Sequence, residues 1–394
     1  MAAKPISRGW VNGLVDRFTG WRAGLPPSSS YTVHPIKILL AGNDDIQLVA
    51  DLYQPTHDKP PAGTILMHTR GTFGSGGTLD PARTDAVDGP HVVAWMRAQT
   101  WYTGTFATLG ASFLGYTQWA LLDAEEPLED MVAAIITVAP QDFSDIIWGT
   151  GALWLPTVDW ARNTSMQETM STAALGDQTP WLYEWMTRPD IANDPFWKPA
   201  SHTRASETAK IPILLFSGWH DIAASNTLAA YQRLRDRGCT VALTVGPGNH
   251  LQSQSGENVM KETQDWLEKY LAKRTTGDPR PSPVRINVTG ANEWRWLPSW
   301  PPPTKPMELF LATKGELSRT QASAKDKVQF TFDPRSPTPT MGGPLPLRRR
   351  QRQRLRACQA RRRPQLHDRA AHRGRRSPRQ AAHLPLPQHR QSAR

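Results

Sequence analysis

Short apolar runs alternate with polar or glycine-rich breaks along most of the chain. IKILLAG (36–42) and IQLVADLYQP (46–55) flank Asn43-Asp44-Asp45, which predicts a hairpin. GTILMH (63–68) predicts a buried strand running into the glycine-rich stretch RGTFGSGG (70–77). DGPHVVAWMRA (88–98) has a helical pattern, with Asp88 as its expected N-cap. The strand TFATLG (105–110) precedes the helical SFLGYTQWALLDA (112–124), and VAAIITVAP (132–140) reads as another buried strand. Beyond residue 205 the alternation resumes with IPILLFSG, TLAAYQRLRDRG, TVALTVG and VMKETQDWLEKYLAKR. Strands alternating with helices predict an α/β class: a mostly parallel, doubly wound sheet with helices on both faces.

Two stretches break this rhythm. Residues 141–205 hold six of the sixteen tryptophans (Trp148, Trp154, Trp160, Trp181, Trp185 and Trp197), among helix-like pieces cut by proline and glycine. This is the pattern of an inserted helical cap. After Gly277-Asp278-Pro279 come short extended runs, VRINVTG, MELFLAT and VQFTFD, separated by proline-rich turns. They predict the start of a second, all-β domain. The expected organisation is an arm at 1–33, a core at 34–140 and 206–278, a cap at 141–205, a β-domain over 279–340 and a basic tail at 341–394.

Charge changes the picture only at the end. The formal total of +11 suggests a nucleic-acid partner, yet residues 348–394 alone carry sixteen arginines and one acid, Asp368. That tail contributes +15, leaving the first 347 residues at −4. After Met341 there is no Phe, Tyr or Trp to build a core. Its Arg, Pro, Gln, Ala and His match a G+C-rich gene read in a shifted frame. The rival reading is an arginine-rich arm that binds a polyanion, on a protein without catalysis. No apolar run nears the ~20 residues of a membrane helix. The two cysteines, Cys239 and Cys358, build no disulfide framework, and no spacing suggests a metal. A cytoplasmic protein without cofactor or metal is expected.

The chemistry concentrates around Gly110-Ala111-Ser112-Phe113-Leu114-Gly115. A serine between a strand and a helix, with small neighbours, is the setting of a nucleophile elbow. Ser112 would present its hydroxyl above the sheet, and the Phe113 N–H at the helix start would face a developing oxyanion. Helix capping by Ser112 is the bland alternative. Asp221 follows the strand IPILLFS, and His250, in GPGNH, follows TVALTV. This gives the chain order Ser…Asp…His, with all three residues at C-terminal strand ends. Here too there are bland alternatives: Asp221 as a helix cap and His250 as a loop residue. His220, His68 and Ser217 are the competing base and nucleophile positions. RGTFGSGG lacks the Lys-Ser/Thr of a P-loop, which argues against a nucleotide site.

Taken together, DIQLVADLYQP, RGTFGSGG, DGPHVVAWMRAQTWYTGTFATLGASFLGYTQWALL, FSGWHD, GPGNH and VTGANEWRWLPSWPPP resemble one group of serine hydrolases. It includes cocaine esterase, X-Pro dipeptidyl aminopeptidase and the glutaryl/cephalosporin acylases. The resemblance spans about residues 34–340. It implies an α/β-hydrolase core, a helical cap and a C-terminal jelly-roll. It also implies a small ester or amide substrate, an acyl-enzyme, no cofactor, and Ser112, Asp221 and His250 as the triad. Three departures accompany it. Gly248 stands where the family has a Trp after Gly-Pro, and the jelly-roll gives way to the arginine-rich tail. Thr69 runs directly into Arg70, with no Pro-Tyr loop, helix and strand between them, so the tyrosine implied as second oxyanion donor is missing from the sequence.

Overall fold

Met131–Thr137 (β5), MVAAIIT, has no polar side along most of its length, so it can be stable only with both faces covered. It lies inside a six-stranded sheet ordered β4-β5-β6-β7-β8-β9. The other strands are β4 (Phe106–Ala111), β6 (Ile213–His220), β7 (Val241–Asn249), β8 (Val284–Val288) and β9 (Glu293–Leu297). β4 to β8 run parallel, and β9 returns antiparallel to β8. The computed structural model describes residues 31–40, 46–56, 63–154, 156, 160, 180–274, 280–312, 316–321, 331 and 333–335.

The period of two along the strands sorts the core into two layers. Ala134, Ile136, Leu215, Leu243 and Val245 pack against Val93, Trp119, Tyr231 and Leu234. These belong to α1 (Asp85–Arg97), α2 (Phe113–Leu122) and α6 (Ala224–Asp236). Ala133, Ile135, Leu214, Phe216 and Ala242 pack on the opposite face with Trp266 of α7 (Glu257–Tyr270). Each large apolar side chain removed from water here contributes roughly 1.5–3 kcal/mol.

A separate three-stranded antiparallel sheet precedes this core: β1 (Tyr31–Leu39), β2 (Gln47–Pro55) and β3 (Thr64–Met67). Ile38, Leu40, Leu48 and Ala50 face Val92 and Trp95 of α1. Residues 41–45, expected to turn the hairpin, lie outside the described residues. The two sheets divide on either side of the Thr69–Arg70 junction. Among the described residues β3 pairs only with β2, and β4 only with β5. β4 is consequently an edge strand, and Leu109 on it is 55% exposed.

Three sequence expectations need correction. GTILMH, expected as a buried strand, forms β3, none of whose residues is buried. Asp88 does not cap α1, which begins at Asp85 after Thr84. Asp88 is instead buried in the first turn, where Arg70 donates to both its carboxylate oxygens, through Nε at 3.0 Å and through Nη2. The β-domain does not begin at 279 either. VRINV and the following EWRWL complete the core sheet as β8 and β9, and the first compact unit extends to Pro303. Extended runs after a turn look alike whether they join an existing sheet or start a new one. Beyond Pro303 the described strands are one antiparallel hairpin, β10 (Phe310–Ala312) with β11 (Glu316–Ser318). Most of VQFTFD and the basic tail lie outside the described residues. No helix among the described residues is long and apolar enough to cross a membrane.

The two ends of the segment 141–205 meet at Asp142 and Ser201. The Asp142 carboxylate accepts from Ser144 N at 2.8 Å, capping α3 (Phe143–Trp148), and from Ser201 Oγ at 2.6 Å. His202 N donates to Gln141 O at 2.8 Å. Between these ends lie α4 (Pro180–Thr187) and a 3-10 turn (Pro195–Ala200), with α5 (Ala205–Thr208) just beyond. Trp181, Trp185 and Trp197 are buried with Tyr116 of α2 and Phe143. Loss of one cap typically costs about 1–2 kcal/mol. Asp142→Ala removes a cap and the Ser201 tie together, so the urea midpoint followed by tryptophan fluorescence should fall accordingly. An unchanged midpoint would show that the tie contributes nothing.

Asp85, one turn before Asp88, is buried, and no side-chain hydrogen bond reaches its oxygens. Burial, with Asp88 alongside, pushes its carboxyl up to about 7. A carboxyl raised in the folded state holds its proton more tightly there than in the unfolded chain. Its contribution to stability is therefore full below the ordinary value of 3.8 and is lost as the pH rises through about 7. Asp85→Asn, neutral at every pH, should raise the melting temperature at mildly alkaline pH, with the gain shrinking in acid. A gain that is the same in acid and alkali would contradict this assignment.

Candidate active site

Three loops at the C-terminal ends of β4, β6 and β7 converge. Ser112 sits between β4 and α2 with φ 58° and ψ −124°, a left-handed backbone that a serine adopts only when its surroundings hold it there. Its N–H donates to Thr137 O at 2.9 Å, fixing the turn to the end of β5. The tight turn also explains the flanking glycines. A Cβ on Gly110 would lie 2.7 Å from Leu114 Cβ, and one on Gly115 would lie 2.6 Å from Ala139 Cβ. Leu114, where a glycine is more usual, points outward and is exposed. The second glycine is needed where the helix meets the neighbouring strand, and that position is 115.

The hydroxyl of Ser112 does not cap α2. Ser112 Oγ lies 2.8 Å from His250 Nε2, and His250 Nδ1 lies 2.7 Å from Asp221 Oδ1. The remaining oxygen, Asp221 Oδ2, accepts from Ser217 Oγ at 2.9 Å. The Asp221 side chain is 0% exposed and that of His250 11%, so the line of contacts runs from a reachable hydroxyl to a buried carboxylate. Asp221 does not cap the next helix with its side chain; α6 starts after Ala223 without a side-chain cap. Phe113 is the first residue of α2, and its N–H has no preceding helical carbonyl to bond.

The competing positions are placed elsewhere. His220 pairs with Asn249 across the β6–β7 ladder. His68 follows β3 of the antiparallel sheet, 3.7 Å from Asp51, with its ring against Phe73. Ser217, weighed as a second nucleophile, donates to Asp221 instead. Its role lacked a sequence signal because a serine inside an apolar strand reads as filler.

The loop RGTFGSGG closes on itself. Gly71 N donates to Gly76 O at 3.0 Å, Ser75 N to Thr72 O at 2.8 Å, and Gly76 N to Gln47 O at 2.7 Å. Ser75 Oγ accepts from Val49 N and donates to His68 O, both at 2.9 Å. The N–H groups of Gly71, Thr72, Ser75 and Gly76 are engaged within the protein, and the loop is tied to β2 through Gln47 and Val49. Among the described residues no group of three or more His, Cys, Asp or Glu is placed to hold a metal.

An aromatic row begins beside Ser112. The Phe113 ring stacks at 6.4 Å on Trp160, which stacks at 6.3 Å on Trp185. Phe143 meets Phe113 edge-on at 5.9 Å. Trp160 is 39% exposed, whereas Trp185 is buried.

Comparison with known proteins places this geometry. Residues 63–252 match the family described as X-Pro dipeptidyl-peptidase (S15 family). Cocaine esterase of Rhodococcus sp. (strain MB1 Bresler) is 22% identical over 401 residues, covering 78% of this chain and 69% of that protein. An alpha-amino acid ester hydrolase shares the fold with a TM-score of 0.57 at 18% identity, over 82% of this chain and 69% of its own. A CocE/NonD family hydrolase from Staphylococcus aureus does so with a TM-score of 0.61 at 16% identity, over 75% and 61%. The chain thus spans about two thirds of the length of these relatives. Residues 63–252, which carry Ser112, Asp221 and His250, are thus similar to the X-Pro dipeptidyl-peptidase (S15) family, and with the cocaine esterase relative they support a serine-type hydrolase.

Proposed function

We propose that the protein hydrolyses an ester or amide of a small acyl substrate through an acyl-enzyme on Ser112. The observation that carries this reading is the unbroken line Ser112 Oγ, His250, Asp221, with contacts of 2.8 and 2.7 Å. His250 Nε2 takes the proton of Ser112 Oγ as that oxygen attacks the substrate carbonyl. Asp221 holds the imidazole with Nδ1 protonated and stabilises the imidazolium. The tetrahedral oxyanion forms opposite the Phe113 N–H, where the α2 dipole adds to the attraction. His250 then returns the proton to the leaving alcohol or amine. A water activated by the same imidazole releases the acid from Ser112.

The acyl group lies on the row of Phe113 and Trp160, which gives an apolar acid flat aromatic support. Names of relatives point to an ester linkage, since one is a cocaine esterase and another an alpha-amino acid ester hydrolase. One oxyanion donor comes from the backbone. The tyrosine that the family resemblance implies as the second is missing where Thr69 meets Arg70. Loss of a single such donor lowers turnover by about 10²–10³. The proposed enzyme is accordingly slow in its chemical step, with binding little affected.

A fluorophosphonate reagent reports on the nucleophile independently of substrate choice. It should modify the folded protein at Ser112, as read by peptide mass, and leave Ser112→Ala unmodified. His250→Ala should label at least about 10³-fold more slowly, as expected when the general base is removed. Folded wild-type protein that stays unlabelled would end the hydrolase reading.

A further inference from the structure

The hydroxyl of Ser217 belongs to the reacting line. Ser217 lies near the end of β6, opposite Val245 of β7, and is 3% exposed. Four residues later the chain turns at Asp221, whose N–H donates to Gly218 O at 2.9 Å. Trp219 Nε1 donates to Asn287 O on β8 at 2.6 Å, anchoring the stretch between them. Serine and aspartate are therefore held at fixed separation on one rigid strand end.

The carboxylate of Asp221 has two oxygens and no contact with water. Oδ1 accepts from His250 Nδ1, and the other oxygen would be an uncompensated buried acceptor without the Ser217 hydroxyl at 2.9 Å. An ionised carboxylate only accepts, so Ser217 must donate. An aspartate side chain turns easily about its last torsion. Two donors on two oxygens fix that torsion, and with it the direction of the bond to His250.

We propose that Ser217 is a positioning residue of this hydrolase, setting the plane and the charge of Asp221 and through them the basicity of His250. This deepens the triad reading above and rests on it. With the hydroxyl absent, the carboxylate draws harder on the imidazolium proton, so His250 titrates at a higher pH. The carboxylate is also less firmly aimed, so the serine reacts more slowly.

The test uses the full chain carrying Ser217→Ala, with Ser217→Cys as a near-isosteric second variant lacking a strong donor and Ser217→Thr as the variant that keeps the hydroxyl. Labelling of Ser112 by fluorophosphonate should slow about tenfold in the alanine and cysteine variants, the loss expected of one hydrogen bond to a charged group. The threonine variant should recover most of the rate. The imidazole of His250, followed by NMR, should titrate upward in the first two variants and not in the third. In an Asp221→Asn background, Ser217→Ala should have no further effect on either readout. Equal labelling and an unmoved His250 titration in a folded alanine or cysteine variant would overturn the proposal, as would an undiminished effect in the Asp221→Asn background. The NMR titration separates this result from failure of the hydrolase reading: an unlabelled wild-type protein whose His250 still responds to Ser217 keeps the coupling and loses the catalysis.

Discussion

The geometry of the site depends on the strained turn at Ser112. Ser112 holds a backbone conformation that its own side chain disfavours, and three neighbours keep it there: the bond from its N–H to Thr137 O, the close pass of Gly110 under Leu114 and that of Gly115 against Ala139. The strain has a geometric return. It lifts the hydroxyl clear of the strand and starts a helix at the next residue, so the proposed nucleophile and oxyanion donor are fixed by one turn. The parallel register of β4 to β7 then brings Asp221 and His250 to the same edge. A residue displaced by one position on either strand would face the opposite layer of helices.

Much of this was legible in the sequence, for a physical reason. Strands buried on both faces must be apolar throughout, so VAAIITVAP, IPILLFSG and TVALTVG stand out against any loop. Polar residues just past their ends, Asp221 and His250, then have few places to be. The inverse holds where local pattern underdetermines partners. VRINV is an acceptable strand for a core sheet or for a new domain, and only the pairing of Leu243 with Val284 decides. Asp88 looks like a cap because caps are acidic and precede apolar runs; the long-range partner that buries it, Arg70, lies outside any helical window. Ser217 was visible as a residue but not as a donor, since its acceptor direction depends on a turn four residues later.

The tryptophan-rich segment shows how composition becomes architecture. Trp148 and Trp197 each spend their indole N–H on a backbone carbonyl, of Trp185 and Arg188 respectively, so they brace the cap as well as fill it. The buried rings form a floor continuous with Tyr116, one turn beyond the nucleophile on α2. Tyr116 in turn reaches His202, which is paired with Asp123 at the other end of that helix. His202 is thereby attached to both ends of the helix that starts at Phe113, and a shift of one would be felt by the other.

The division of the sheet beside β4 has a consequence for how the nucleophile strand moves. Phe106 N and Ser112 N both point to β5, so the intervening amides of Ala107, Leu109 and Ala111 face the side where the described residues supply no neighbouring strand. In a parallel sheet a central strand opens only when the domain opens, whereas a border strand can detach one rung at a time. Deuterium would enter these three amides early and those of Thr108, Gly110 and Ser112 late. Ser112, with its positive φ, thus follows a strand that is firm on one side and yielding on the other.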